Sequence, residues 1–421
     1  MTDQWFQALA SDDGADSLAR AARHQRLAAR LRESGARVAG FASAPGRTEL
    51  AGNHTDHNRG RVLAAAVDVD AVAAVARRDD GRIVLRSEGF DGAFEVDLRA
   101  GLAPLPAERG TTTALVRGVA AALEALGSQI GGFDAWVASD VPTGSGLSSS
   151  AAIEVLLGTI LNGLYNRGHI APELLARAGQ EAENRHFGKP CGLMDQMASA
   201  LGGVVTIDFA DPAAPRAVQV PLRLSELGHR LAVVDTGGSH ADLTDDYAAI
   251  PSEMRAVARH FGQDALRGLS AADLLARAPA IRRALGDRAL LRALHFVWED
   301  ARVAEQVAAL QRGDFGAFLA LVRASGASSM RWLQNVVPAG ATTDQGMALA
   351  LAVTEDFLQG RGACRVHGGG FAGAIQVWLP EGCEAAYEAV LAPIFGPACV
   401  RLLSIRPVGA VWLAAPSAET T

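Results

Sequence analysis

Apolar residues recur every three to four positions between Ser17 and Ser34 and give way to runs and alternations after Val38, so the chain begins with an amphipathic helix followed by strands. The strands predicted are Val38–Ser43, Val62–Ala76, Ile83–Ser87 and Phe94–Leu98, separated by Gly and Asp turns. Thr112 to Leu126 then carries a helical period, Phe133 to Ser139 alternates as a strand does, and a Gly/Ser-rich loop leads into an apolar helix from Ser149 to Tyr165. A helix from Pro172 to Arg185 and another starting near Asp195 precede a strand, Gly203–Phe209.

A Pro-rich stretch with Pro212, Pro215 and Pro221 follows, and the domain boundary is placed there, giving an N-terminal unit 1–215 and a C-terminal unit 216–421. Beyond it the pattern predicts strand Arg230–Asp235 and helices around Ser252–Phe261, Ala271–Leu285, Ala289–Gln311, Asp314–Ser325 and Asp344–Leu358. Strands Ala363–His367, Ala374–Leu379 and Val408–Leu413 then close a second α+β unit.

Composition narrows the function more than the fold. With 421 residues, 49% of them hydrophobic, the chain can bury more than one core, which favours two domains. Lys and Arg number 39 against 46 Asp and Glu, so no basic field exists to attract nucleic acid or an anionic membrane, and a small-molecule partner fits better. The most apolar early stretch, Val62 to Ala76, is broken by Asp68 and Asp70, so no membrane span is expected. The acidic N-terminus does not read as a secretory signal, and Cys191, Cys364, Cys383 and Cys399 form no CxxC pair. A cytoplasmic protein with reduced cysteines, monomeric or weakly homo-oligomeric, is the expectation.

Four segments carry candidate chemistry. In Pro142 to Ala152 (PTGSGLSSSAA), Gly144 and Gly146 let successive N–H groups point into one cavity, and the following helix adds its positive end. Ser148, Ser149 and Ser150 add hydroxyls for phosphate or Mg²⁺; the alternative is a capped helix after a flexible turn. The loop is neither a Walker A sequence nor a nucleophile elbow, since Gly-Lys-Ser/Thr is absent and Thr143 and Leu147 stand where the elbow needs glycine. Ala51 to Gly60 (AGNHTDHNRG) packs Asn53, His54, Asp56 and His57 into one turn suited to binding a polyol, or to a solvated hairpin connection. Glu183 and Asp195 bring two carboxylates close in sequence, able to hold a metal and take a proton, although Asp195 also stands where a helix cap would. Finally, GACRVHGGGFAG (Gly362 to Gly373) is a glycine-rich turn between strands.

Taken in order, these segments resemble the GHMP kinase superfamily, and within it the galactokinases. Pro45 to Ala65 (PGRTELAGNHTDHNRGRVLAA) is similar to the sugar signature, Pro142 to Ala152 to the ATP loop, Glu183 to Gln196 to the Cys-Gly-x-Met-Asp-Gln segment, and Gly362 to Gly373 to the C-terminal glycine motif. The resemblance implies a two-domain α+β GHMP kinase fold. Its N-terminal domain is of the ribosomal-protein-S5-domain-2-like type, its C-terminal domain is ferredoxin-like, and the active site lies in the cleft between them. It implies ATP and Mg²⁺, and transfer of the γ-phosphoryl to the C1 hydroxyl of a sugar, with galactose first. Asp195 matches the base or orienter of that hydroxyl, and Arg47 the arginine beside it. Asn53, His54, Asp56, Gly192 and Tyr247 match sugar-binding positions. Pro142, Gly144, Ser145, Gly146, Leu147, Ser148, Ser149 and Ser150 match the nucleotide loop, and Ser150 with Glu183 the metal ligands.

The sequence also departs from the family pattern. Asn53 replaces the usual glutamate expected at the sugar's 6-hydroxyl, and an amide there accommodates galactose and also a C6 carboxylate, which makes galacturonate the second candidate. His57 replaces a tyrosine, His367 a small hydroxyl residue, and Thr112 and Leu115 the aromatics that often line the adenine pocket. Arabinose is a further candidate acceptor, and a non-catalytic sugar and ATP sensor is the alternative from another class. Retention of Arg47, Glu183 and Asp195 favours the enzyme.

Overall fold

The computed structural model describes residues 17–142, 146–238 and 243–415. Its first helix, α1 (Ser17–Glu33), lies against a sheet whose central strands are β1 (Gly40–Ala51) and β2 (Arg61–Arg78). Both strands are long and buried at nearly every position because both faces are covered. Along β2, Ala71, Ala73 and Val75 enter the main core, while Val72, Ala74 and Ala76 meet Leu27, Ala28 and Leu31 of α1 on the other side.

The chain continues through β3 (Arg82–Ser87), β4 (Phe94–Asp97), α2 (Thr112–Ala125), β5 (Gly132–Ser139), α3 (Ser149–Tyr165), α4 (Pro172–Glu181), α5 (Met194–Leu201) and the hairpin β6 (Val204–Asp208) and β7 (Arg216–Gln219). β3 runs parallel to β5, and the other pairings in this sheet are antiparallel. The expected helix Pro172–Arg185 does not run through: α4 stops at Glu181, and Ala182–Phe187 widens into a π-helical turn ended by Gly188 at φ 87°.

The second unit opens at β8 (His229–Asp235). It passes through α6 (Thr244–His260), α7 (Ala271–Ala276), α8 (Ala278–Leu285), α9 (Asp287–Gln311), α10 (Phe315–Ser328) and α11 (Gly346–Leu358). It then forms β9 (Ala363–Val366), β10 (Ala374–Pro380), α12 (Glu384–Phe395) and β11 (Val400–Leu403). The sheet order β11-β8-β10-β9, antiparallel throughout, is the fourth-first-third-second order of a ferredoxin-like β-α-β-β-α-β unit with helices inserted after its first strand. Pro251, beside the expected helix start, lies inside α6. There Ile250, Met254 and Val257 are fully buried, and their packing outweighs the lost backbone hydrogen bond. The single helix expected over Ala271–Leu285 is two, with Pro279 in the first turn of the second.

One strand goes elsewhere than expected. The last strand, β12 (Val411–Ala414), does not close the second unit; it pairs antiparallel with β1, Gly40 opposite Ala414 and Ser43 opposite Val411. Its Trp412 lies over Gly40 and Gly163, where a side chain would overlap the indole.

Where α1, β1, β2 and the segment before β12 meet, Asp70 is buried with Arg23, Arg406 and Ser43 all donating to its carboxylate, Arg406 Nη1 at 2.9 Å and Ser43 Oγ at 2.6 Å. Burial alone would raise the Asp70 pKa, but Arg23, Arg406 and Arg20 outweigh it and hold it at about 2. Asp70→Ala leaves Arg406 buried without its counter-charge and Arg23 with only Asp140, and is expected to cost about 3–5 kcal/mol in urea unfolding at pH 7. A carboxyl with a depressed folded pKa contributes stability above its unfolded pKa of about 3.9 and loses it as pH falls toward 2, so the gap between wild type and variant should narrow on acidification.

Candidate active site

β1 carries the central cation. The β1–β2 register shifts between Pro45 and Arg47, a bulge that accommodates Pro45 and re-aims the next side chains. The Arg47 backbone N–H then donates to Leu147 O at 3.1 Å, which fastens the strand to the Gly/Ser loop. Its guanidinium grips Asp195 with two parallel hydrogen bonds, Nε to Oδ1 and Nη2 to Oδ2, each 2.6 Å, while Nη1 donates to Gly146 O. Asp195 is the second residue of α5 and does not cap it; its side chain keeps 30% exposure on the open side. Burial would raise the Asp195 pKa, yet the charge and hydrogen bonds of Arg47, with Ser148, hold it below the usual carboxylate range.

The loop residues divide their work. Ser148 stands before α3 in the left-handed region, φ 59°, and its hydroxyl donates to Asp195 rather than capping the helix. Ser150 Oγ reaches Glu183 Oε1 at 3.2 Å, and Lys189 Nζ lies 3.6 Å from the same oxygen. Leu147 is fully buried, Ser149 opens the helix, and Pro142 precedes the loop; Gly144 and Ser145 lie outside the described residues. The π-helical turn sets Glu183: its carbonyl accepts from Gly188 and Lys189, and its side chain turns inward toward Ser150.

On the other side of Asp195, the 52–60 turn meets the glycine segment 368–371. His54, at φ 58°, donates from Nε2 to Gly369 O at 2.9 Å; burial pushes its pKa down to about 4, so the ring is neutral. Tyr247 Oη donates to Gly370 O at 2.6 Å and its ring covers Gly369. Gly192 lies so close to Asp56 that any side chain there would overlap the carboxylate. Asn53 has no exposure: Nδ2 donates to Glu49 Oε1 at 3.0 Å and Gly368 O at 2.6 Å, and Oδ1 accepts from Asn335 Nδ2 at 2.7 Å. Its amide therefore ties the turn to the second unit from behind the open face. Glu49, buried against Arg365, belongs to the same network.

Sequence reasoning did not single out Glu154, Gln196, Lys189 or the Glu49–Arg365 pair. Gln196 Nε2 bridges Glu154 Oε2 (2.9 Å) and Glu183 Oε2 (3.2 Å). Burial, then the neighbouring Glu183 charge, push the Glu154 carboxyl well above its ordinary value. One signal was available, since Glu154 is the lone charge in an otherwise apolar helix.

The model described as GHMP kinases N terminal domain matches residues 114–203, and that described as galactokinase galactose-binding signature matches residues 32–77. A galactokinase of Streptomyces coelicolor is 40% identical over 360 residues, which span 85% of this chain and 89% of that protein. The structure of Lactococcus lactis galactokinase complexed with galactose superposes with a TM-score of 0.79 at 24% identity, covering 93% of this chain and 99% of that one. Methanococcus jannaschii mevalonate kinase superposes at 0.61 with 15% identity, covering 87% and 98%. The chain is thus a phosphotransferase of the GHMP kinase type. Within that class the chain belongs to the galactokinase family of ATP-dependent sugar kinases.

The Glu154 carboxyl gives a test that is independent of turnover. With its folded pKa raised, its contribution is most favourable below the unfolded value of about 4.3 and is lost as pH rises toward the folded value. Glu154→Gln mimics the protonated acid. Its unfolding free energy should fall less than that of wild type between pH 4.5 and pH 8 in urea titrations.

Proposed function

We propose that the protein transfers the γ-phosphoryl of MgATP to the C1 hydroxyl of galactose, giving α-galactose 1-phosphate and ADP. The observation that carries this reading is the Arg47–Asp195 fork, set between the Gly/Ser loop and the 52–60 turn. Asp195, kept ionised by Arg47, accepts the hydrogen bond of the attacking hydroxyl and takes its proton as the new O–P bond forms. Arg47 keeps Asp195 in register and offsets the charge spreading over the transferring oxygens. Ser148 holds the same carboxylate from the loop side, so acceptor and donor are positioned by one set of hydrogen bonds.

Ser150 and Glu183 fit a Mg²⁺ ion: two oxygens from different helical segments meet 3.2 Å apart at the loop, and Glu183 is almost wholly buried. Among the described residues no group of three or more His, Cys, Asp and Glu side chains is placed to hold a metal. A Mg²⁺ ion held by Ser150 and Glu183 would complete its shell from water and phosphate oxygens. When bound, it neutralises charge shared between the phosphates. His54, Asp56 and Tyr247 line the acceptor side, with Gly192 providing the room Asp56 needs.

Galactose stands first among acceptors because the relative at 40% identity is a galactokinase and the signature matched is the galactose-binding one. The C6 side merits comparison with galacturonate, since Asn53 is a neutral amide already saturated by protein partners. ADP release should be measured with galactose, galacturonate, arabinose, glucose and galactosamine; turnover confined to sugars other than galactose would replace the proposed substrate. Asp195→Ala should abolish turnover on the best acceptor, and Asp195→Asn should lower kcat by about 10²–10⁴, with the fold retained by circular dichroism and some thermal stability lost because the buried Arg47 loses its counter-charge. Undiminished turnover in either would remove the mechanism.

A further inference from the structure

Of the 39 Lys and Arg residues one alone is a lysine, Lys189, and it stands at the site. Everywhere else the chain supplies positive charge with arginine, in the buried pairs of Asp70, Glu49 and Asp195 and in exposed pairs alike. The two cations are not equivalent. A guanidinium is a rigid fork that grips a carboxylate with two parallel bonds, whereas an ammonium is a hydrated point charge on a flexible stem, able to leave one anion for another.

The backbone of Lys189 is fixed. Its N–H donates to Glu183 O at 3.1 Å, beside that of Gly188 at 2.9 Å, where the π-helical turn ends. Pro190 follows and restricts Lys189 to extended conformations, and the Cys191 N–H then donates to Asn184 Oδ1 at 2.7 Å. The side chain is held loosely by comparison: it is 66% exposed, and Nζ stops 3.6 Å from Glu183 Oε1, outside hydrogen-bond distance. Ser150 Oγ donates to that same oxygen at 3.2 Å, so ammonium, hydroxyl and carboxylate meet at one point. Among the described residues Lys189 is the one cation paired with Glu183. A structural pair alone does not call for lysine, since an arginine would grip the carboxylate with more bonds. With Mg²⁺ held by Ser150 and Glu183 as proposed above, such a grip would compete with the ion, whereas an ammonium gives way. Its stem, rooted beside Glu183, then leaves the charge next to the phosphate oxygens that complete the ion's shell.

We propose that Lys189 is a phosphate-binding residue of this chain, its ammonium exchanging the Glu183 carboxylate, its partner in the structure, for the phosphate oxygens of MgATP. Lys189 gives up one ion pair for charge-assisted bonds to the nucleotide, and the carboxylate it leaves is the one that Mg²⁺ neutralises, so neither charge is left uncompensated. This inference rests on the kinase reading above and adds to it a second cation, besides Arg47, that acts on the donor substrate.

Because lysine occurs once, acetylation by N-hydroxysuccinimidyl acetate reports on Lys189 alone among the side-chain amines, and mass spectrometry of its peptide gives the rate. MgATP without sugar should slow that rate about tenfold or more, the factor by which a charge-assisted bond favours the engaged ammonium, and galactose alone should change it less than twofold. A rate unchanged or raised by MgATP overturns the proposal, since a lysine merely expelled from Glu183 by the metal would react faster. In calorimetry without sugar, Lys189→Met should weaken MgATP about ten- to a hundredfold, with KM for galactose changed less than twofold. MgATP binding as tight as in wild type, or equal losses for both substrates, overturns it as well. Lys189→Arg should weaken MgATP at low Mg²⁺ and recover as Mg²⁺ is raised, which the Met variant should not do; the same Mg²⁺ dependence in both variants overturns the exchange. Sugar phosphorylation by a wild-type chain whose Lys189 is unprotected sinks this inference alone, and protection by MgATP in a chain that phosphorylates no sugar sinks the kinase reading alone.

Discussion

A single guanidinium holds the two sides of the site in one frame. Arg47 bonds to both oxygens of Asp195 on α5 and to the carbonyl of Gly146 in the loop, while its own backbone is fastened to Leu147. A planar fork does this better than a lysine would, because two parallel bonds fix direction as well as distance. The arrangement requires a strand that is buried at every position yet places one charged side chain at a gap, and the bulge after Pro45 provides that gap. Loop, strand and helix are thus set relative to one another before any ligand arrives, and preorganisation of this kind is what proposed electrostatic catalysis needs.

Around that fork the protein separates its carboxylates by environment. Asp195 sits beside a cation and is held ionised, whereas Glu154, buried next to Glu183, is pushed toward the protonated form. Gln196 touches both Glu154 and Glu183 and so keeps two acids apart that would otherwise repel each other. On the far side the Glu49–Arg365 pair and the saturated amide of Asn53 make the back of the 52–60 turn rigid without presenting net charge. Rigidity there is supplied by hydrogen bonds between the two units together with the Asn53–Glu49 bond within the first.

Much of this was legible in the sequence where the cause is local. The periodicity of Ser149–Tyr165 located α3 at its observed ends, and β2 and β5 lie within one or two residues of expectation because their apolar pattern is set by their own two faces. Arg47, Ser148, Ser150, Glu183 and Asp195 converge, but single segments gave only capped helices and polar turns; their order along the chain suggested a common site. What escaped was nonlocal. Glu154 matters through Glu183 and Gln196, which reach it only across helices. The burial of Asn53 depends on Asn335 and Gly368, far along the chain. Strand patterns carry no label for the partner, so β12 was assigned to the nearer sheet, and the exposed, short β7 and β11 were not seen at all.

The pairing of β12 with β1 also orders events in time. During synthesis the strand bearing Arg47 emerges well before the strand that covers its outer edge, residues 411–414. Until then β1 offers an open row of backbone donors and acceptors, the kind of edge that recruits other chains. A nascent or prematurely terminated chain is therefore exposed to misassociation at the strand that later carries the central arginine. The indole of Trp412, seated on Gly40 and Gly163, acts as the late closure of that edge.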